Sequence, residues 1–271
     1  MLPILRILFL LVVVVPVFLV VIPTQFVLTR LKLPFWNILP VLIYWSGCKL
    51  LGLRVHVLGT PEKKRATLLV ANHISWMDIL AVGSRVRMSF VSKSDVAKWP
   101  LVGFLASLQK TIFVDRTRRS DAKRTSIAMS ARMAAGDALF LFAEGGTSTG
   151  ENLKPFRSAL IGAALAAMGE AGAGGKKVAI QPVAISYTNR HKQPVSQQDR
   201  ITLGWNRTQS IWKNLLTVLS GRAKDVVIAF GKPVALADGD DRKKIARYCE
   251  TEVRNMLLAL ENGQDLPRSD I

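Results

Sequence analysis

The feature that most constrains this chain is the stretch from residue 7 to residue 29, 23 positions between Arg6 and Arg30 without a charge, with apolar runs at 8–15 and 17–22. About 20 such residues cross the hydrocarbon core of a bilayer as a helix, so a membrane location is expected. Pro16, Pro23 and a second uncharged run at 33–48 allow another arrangement, two helices that dip into one leaflet as a hairpin and return. A cleaved secretory signal fits poorly. Its n-region would hold a single arginine, its apolar stretch would exceed the roughly 7 to 15 residues usual there, and no small-x-small site follows. Residues 1–50 therefore read as a membrane anchor and residues 51–271 as one globular domain. With a single span, Arg30, Lys32, Lys49 and the basic remainder would hold that domain on the cytoplasmic side of an inner membrane.

Charge supports the membrane reading. The chain carries 37 Lys+Arg against 19 Asp+Glu, a formal net charge of +18. An anionic membrane surface suits that balance, because each basic side chain near it contributes on the order of 1 kcal/mol. Nucleic-acid binding is the other use of such a charge, but aromatic residues make up only 7% and no nucleic-acid module occurs, so none is expected. At 49% hydrophobic residues a disordered basic tail is excluded, since such chains lack the apolar surface to offset chain entropy. Cys48 and Cys249 lack partners at disulfide-scaffold or zinc spacing. His56, His73 and His191 stand at no metal-ligand interval, so neither a metal nor a cofactor is expected.

Past residue 52 short β-rich runs alternate with helical patterns. Strands are expected at 54–58, 67–71, 88–92, 111–114, 138–143, 178–186 and 226–230, and helices at 76–83, 100–108, 120–136, 156–168 and 241–259. Near-continuous apolar strands separated by helices predict an α/β fold, a mostly parallel sheet flanked by helices behind the N-terminal membrane-associated segment. Residues 169–175 and 188–200 read as loops. Catalytic groups in such sheets gather at the carboxyl ends of strands.

The first such end carries Asn72, His73, Ser75 and Asp78. On a continuous helix, five residues would turn His73 and Asp78 about 140° apart. If the strand ends at Asn72 and a helix begins at Ser75, Asp78 falls in the first turn and the two can meet. Asp78 would then accept the imidazole Nδ1–H and steady the imidazolium, leaving Nε2 in the crevice as a general base. The same residues also read as a plain capping box with His73 a polar loop residue.

The second end carries Glu144, Gly145, Gly146, Thr147 and Ser148, where two glycines free backbone N–H groups to turn toward an anion. Residues 146–150 also satisfy G-x-S-x-G, the nucleophile elbow of α/β serine hydrolases with Ser148 as nucleophile. The context is poor: no helix follows at once, Pro155 intervenes, and the required histidine would be His191 with only Glu151 or Glu170 beside it. Nucleotide-binding glycine motifs are absent.

Taken together, these blocks resemble the glycerolipid acyltransferases, a family that includes the bacterial 1-acyl-glycerol-3-phosphate acyltransferases, over roughly residues 50–235. Asn72, His73, Ser75 and Asp78 fit its N-H-x-S-x-x-D block. Thr111 to Arg116 fit the second block, residues 142–148 look like F-P-E-G-T-R-S, and Gln181 to Ile185 look like V-P-V-x-I. The resemblance implies acyl transfer from an acyl carrier protein or coenzyme A thioester to the hydroxyl of a lysolipid. It implies His73 as base and Asp78 as its orienter, with Asn72, Ser75 and Pro182 in support. Phe113, Arg116, Glu144, Gly145, Gly146, Thr147, Lys154 and Arg157 would contact the acceptor. That acceptor is first 1-acyl-sn-glycerol-3-phosphate. Ala143 and Thr147 depart from the pattern, Thr147 standing where phosphate-binding members carry Arg, and a hydroxyl cannot give a phosphate the bidentate grip of guanidinium. The variant block is similar to the branch that acylates lyso-ornithine lipid, the alternative acceptor. Arg116, Arg118, Arg119, Lys123 and Arg124 form a basic cluster suited to an acidic carrier protein or lipid headgroups. A basic membrane-binding protein without catalysis is the remaining reading.

Overall fold

In the computed structural model the described residues are 2–33, 35–115, 119–148, 152–172, 178–190, 193–204, 211–221, 223–236 and 241–262. The uncharged run forms a continuous rod made of α1 (Leu2–Phe9), a π-helical turn (Leu10–Val14) and α2 (Val15–Arg30), and α3 (Leu39–Leu51) returns. Gly52, at φ 68°, ends α3 in the left-handed region that only glycine adopts freely. Then follow β1 (Leu53–Leu58), β2 (Ala66–Ala71), α4 (Met77–Gly83), β3 (Ser89–Lys93), α5 (Ser94–Ala97), α6 (Val102–Leu108), β4 (Ile112–Val114), α7 (Arg119–Ala134), β5 (Leu139–Phe142) and α8 (Ser158–Gly172). The rest is β6 (Val178–Arg190), β7 (Gln193–Pro194), α9 (Gln197–Leu203), α10 (Ile211–Ser220), β8 (Lys224–Phe230), β9 (Val234–Ala235) and α11 (Arg242–Glu261).

The main sheet runs β1-β8-β6-β2-β5-β3-β4. Its pairs are parallel except β6 with β8, and the short β7 and β9, which pair with β6 antiparallel. The fold is the expected α/β class. The expected loop at 188–200 is a correction: β6 runs on to Arg190 because its far end pairs with β8, and Ser196 caps α9 through a capping box with Asp199. The glycine-rich segment 169–175 is likewise helical as far as Gly172.

Alternation along the strands builds two cores. Leu68, Val70, Leu139, Leu141 and Ile180 face Met129, Met133, Ile161 and Val253 of α7, α8 and α11. Leu69, Ala71, Phe140, Val183, Ile185 and Tyr187 face Tyr44, Cys48, Met77 and Ala81 of α3 and α4. Burial on both faces is why these strands read as unbroken apolar runs. After β2 the chain turns to α4 on one face, and after the adjacent β5 it turns to α8 on the other. The crevice lies where such neighbouring connections diverge.

The N-terminal rod is exposed over most of its length, with Leu11 58% and Leu19 70% accessible. Both ends rest on the α/β domain. Arg6 Nη2 lies 3.0 Å from the point a Cβ on Gly52 would occupy. At the other end Gln25 Nε2 donates to the carbonyls of Trp36 at 2.7 Å and Leu108 at 2.9 Å.

Candidate active site

At the carboxyl end of β2, Asn72 extends the pairing with β6 through its side chain. Its Nδ2 donates to the Ile185 carbonyl at 2.9 Å and its Oδ1 accepts the Ile185 N–H at 2.8 Å. The chain then leaves the sheet at His73, whose Nδ1 lies 2.9 Å from Asp78 Oδ2. A carboxylate only accepts, so Nδ1 carries the proton and Nε2 is the basic nitrogen. Asp78 is fully buried. Its Oδ2 also accepts the N–H groups of Ile74 at 2.7 Å and Ser75 at 2.9 Å, and its Oδ1 accepts the Tyr187 hydroxyl at 2.8 Å. The pairing reading therefore holds and the plain capping box does not form: Asp78 ties down the turn backbone and also orients the imidazole, while the Asp78 N–H donates to the Ser75 carbonyl rather than to its hydroxyl. The helix begins at Met77, later than the expected Ser75 cap, with Ser75 Oγ 3.5 Å from the Met77 N–H.

Phe142 stacks on the imidazole, with centroids 3.8 Å apart and 19° between planes. The His73 side chain keeps 14% of its surface accessible. The bond to Asp78 and the stacked Phe142 ring together restrict how the imidazole can turn.

The loop after β5 is fastened to the His73 backbone on both sides. Glu144 Oε1 accepts the His73 N–H at 2.6 Å and Oε2 accepts the Lys154 N–H at 3.2 Å. Ser148 donates to the His73 carbonyl from its N–H at 2.8 Å and from Oγ at 3.1 Å. Burial pushes the Glu144 carboxyl above its ordinary range, opposed by those two N–H groups. Glu144 thus positions two strand ends, with both its oxygens engaged by main chain. Ser148 Oγ is directed to a carbonyl rather than to the imidazole, which removes the nucleophile-elbow reading; His191 lies outside the described residues.

Gly145 has φ 75°, and a Cβ on Gly146 would meet nothing within 4 Å. Thr147 is half-buried, its carbonyl accepting Lys154 Nζ at 2.7 Å, and Arg157 is exposed. Phe113 sits half-buried on the edge strand β4, three strands from β2 and so about 14 Å away. Pro182 lies inside β6 opposite Val70, its carbonyl accepting the Gly231 N–H at 2.9 Å. Arg116 and Arg118 lie outside the described residues, and of the rest of the basic cluster Arg119, Lys123 and Arg124 are on α7. Sequence reasoning missed two contributors, Tyr187 and the ring of Phe142 that stacks on His73.

A family model described as Acyltransferase matches residues 53–186, the span that holds both loops. A lyso-ornithine lipid O-acyltransferase of Brucella abortus is 38% identical over 248 residues, covering 92% of each chain. The chain belongs to the acyltransferase family. A lyso-ornithine lipid O-acyltransferase of Rhizobium meliloti is 37% identical over 90% of this chain and 82% of its own. In fold, this acyltransferase is similar to the crystal structure of the 1-acyl-sn-glycerophosphate (LPA) acyltransferase PlsC from Thermotoga maritima. The TM-score is 0.60 at 20% identity, over 96% of this chain and 98% of that one. Its N-terminal helix, Ile4–Arg30, is long and apolar enough to cross a membrane.

Proposed function

We propose that this acyltransferase moves a fatty acyl group from a thioester of acyl carrier protein or coenzyme A to the hydroxyl of lyso-ornithine lipid, at the cytoplasmic face of an inner membrane. It would do so without metal or cofactor. The observation that carries the reading is the buried Asp78 fixing the tautomer of His73, a side chain that is mostly buried but not sealed off. His73 Nε2 takes the acceptor hydroxyl proton as the oxygen attacks the thioester carbonyl, and Asp78 stabilises the imidazolium. The proton then passes to the departing thiolate, so one ester forms as one thioester breaks. The Gly146 N–H, at a position with open space around it, is suited to hold the oxyanion.

By sequence alone 1-acyl-sn-glycerol-3-phosphate came first as acceptor and lyso-ornithine lipid second. Two considerations reverse that order. The relatives from Brucella and Rhizobium bear the lyso-ornithine name. The position suited to an arginine clamp is Thr147, and the nearby Lys154 Nζ is directed to a carbonyl.

The one-leaflet hairpin is the favoured form of the anchor. A helix of this length is about 40 Å long, and a perpendicular span would carry its ends to opposite surfaces. Contacts of Arg6 and Gln25 with the same domain support a rod lying along it, its exposed face in lipid. Acceptor and product then stay in one leaflet.

The test offers lyso-ornithine lipid and lysophosphatidate in parallel to purified protein with labelled acyl carrier protein and coenzyme A thioesters. Turnover of lyso-ornithine lipid that falls by about 10² to 10⁴ in His73→Ala is expected. Preferential use of lysophosphatidate would overturn the acceptor assignment, and full activity of His73→Ala would overturn the mechanism.

A further inference from the structure

β6 continues past the fourth sequence block, and its alternation places Val183, Ile185 and Tyr187 on the face that meets α3 and α4. Asn72 clamps the main chain of Ile185, two residues before Tyr187. A register shift in the pairing with β8 falls between Tyr187 and Asn189, a bulge of the kind that re-aims a side chain beside a site. The Tyr187 hydroxyl arrives 2.8 Å from Asp78 Oδ1, the oxygen that His73 does not use.

We infer that Tyr187 is a positioning residue of the acyl-transfer reaction, whose hydroxyl holds Oδ1 of Asp78 so that Oδ2 stays aligned on His73 Nδ1–H. This rests on the assignment of His73 as base. A carboxylate with no access to water stays charged only where donors replace hydration. Three donors converge on Oδ2 and one side-chain donor, Tyr187, serves Oδ1. Without the Tyr187 hydroxyl, Oδ1 would lose that side-chain donor and the carboxylate the bond that holds its plane toward His73. Burial and the Asp78 charge raise the Tyr187 phenol well above its ordinary range, which keeps it a donor at all working pH values.

The other titratable groups facing this pair are His73 and Glu144 from the loops and Cys48 from α3, with Tyr44 of α3 in the same apolar cluster. Arg85 and Lys49 act further out, on Cys48. Burial pushes the Cys48 thiol up to about 11, so it stays neutral beside the pair.

Tyr187→Phe keeps the ring and removes the donor. In full-length protein assayed with lyso-ornithine lipid and labelled thioester, kcat should fall roughly ten- to hundredfold, the worth of one hydrogen bond to a buried charge. KM for acceptor should stay within about twofold. 3,5-Difluorotyrosine at 187 keeps the ring and a stronger donor, and should restore kcat. A wild-type kcat in Tyr187→Phe, a deficit carried by KM alone, or no rescue by the fluorinated residue would overturn the inference. His73→Ala run beside them separates the failures: if it is active the base assignment falls, whereas if it is inactive and Tyr187→Phe is normal only the role of Tyr187 falls.

Discussion

Replacing Asp78 by asparagine removes a charge with little change of shape. The amide oxygen can occupy the place of Oδ2 and still accept the N–H groups of Ile74 and Ser75, and Nδ2 then meets the Tyr187 hydroxyl, which can turn to accept. The loop should therefore hold. What disappears is the anion beside the imidazolium that forms as the acceptor oxygen attacks. Nδ1 and Oδ2 are 2.9 Å apart, which puts the two delocalised charges about 4 Å apart. At an effective dielectric constant near 20 their attraction is about 4 kcal/mol. Because that attraction exists only once His73 is protonated, it lowers the barrier without strengthening ground-state binding, and its loss should cost roughly 10³ in kcat. Initial rates in mixed micelles, with KM for the lysolipid and a thermal melt on the same preparation, provide the measurement. A variant that melts normally and keeps kcat within about tenfold of wild type, or that loses activity through KM alone, would refute the electrostatic role assigned to Asp78.

Three further outcomes follow from other parts of the molecule. Thr147→Arg supplies the guanidinium missing from the third block, and should raise the turnover of lysophosphatidate relative to lyso-ornithine lipid by about tenfold; an unchanged ratio would separate residue 147 from headgroup choice. Leu11→Asp with Leu19→Asp puts charges on exposed positions of the rod at a cost of about 3 kcal/mol each in a bilayer. Fractionation should then move the protein from membrane to supernatant, and retention would contradict the lipid contact assigned to that face. Lys224 is buried, its Nζ donating to the carbonyls of Leu51 and Val218. Burial lowers its pKa from 10.5 to about 8. The folded state thus binds fewer protons than the unfolded chain between those values, so wild-type stability should gain on Lys224→Met as pH rises from 8 towards 10, by at most about 1.4 kcal/mol per unit. Parallel unfolding curves at both pH values check this, and a constant difference would sink it.

How far the sequence could be read depended on the range of the interactions involved. The strands expected at 54–58 and 67–71 lie within β1 and β2 with at most one residue of difference, because burial on both faces leaves an unbroken apolar signal. The meeting of His73 and Asp78 was legible because five residues separate them and the turn chemistry between them is local. The reversed direction of β8 was not, since it depends on the helices α9 and α10, which lie in polar or mixed sequence. Even so, Ser196 and Asp199 carry the same capping signal as Ser75 and Asp78. Tyr187 was illegible for a different reason: it is 109 residues from Asp78, and only the register of β6 brings them together. Glu144 was expected to contact the acceptor only through the family resemblance of its block. The parallel pairing of Ala71 with Phe142 instead sets it against the His73 N–H, where its oxygens serve the main chain.

That arrangement bears on how one scaffold can serve different lysolipids. Glu144 and Ser148 grip the N–H and the carbonyl of His73, and the residues between them, Gly145 to Thr147, bulge away. The grip fixes the base through backbone geometry that side-chain changes within the bulge leave untouched. A Cβ at Gly146 would find open space, so the bulge has room to carry a larger or smaller headgroup contact at 147 without displacing the imidazole. Acceptor choice and proton transfer are then coupled only through where the hydroxyl comes to rest. A change at Thr147 should therefore alter KM for competing acceptors while leaving the pH dependence of kcat alone, and movement of both together would mean that the bulge and the base are not mechanically separate.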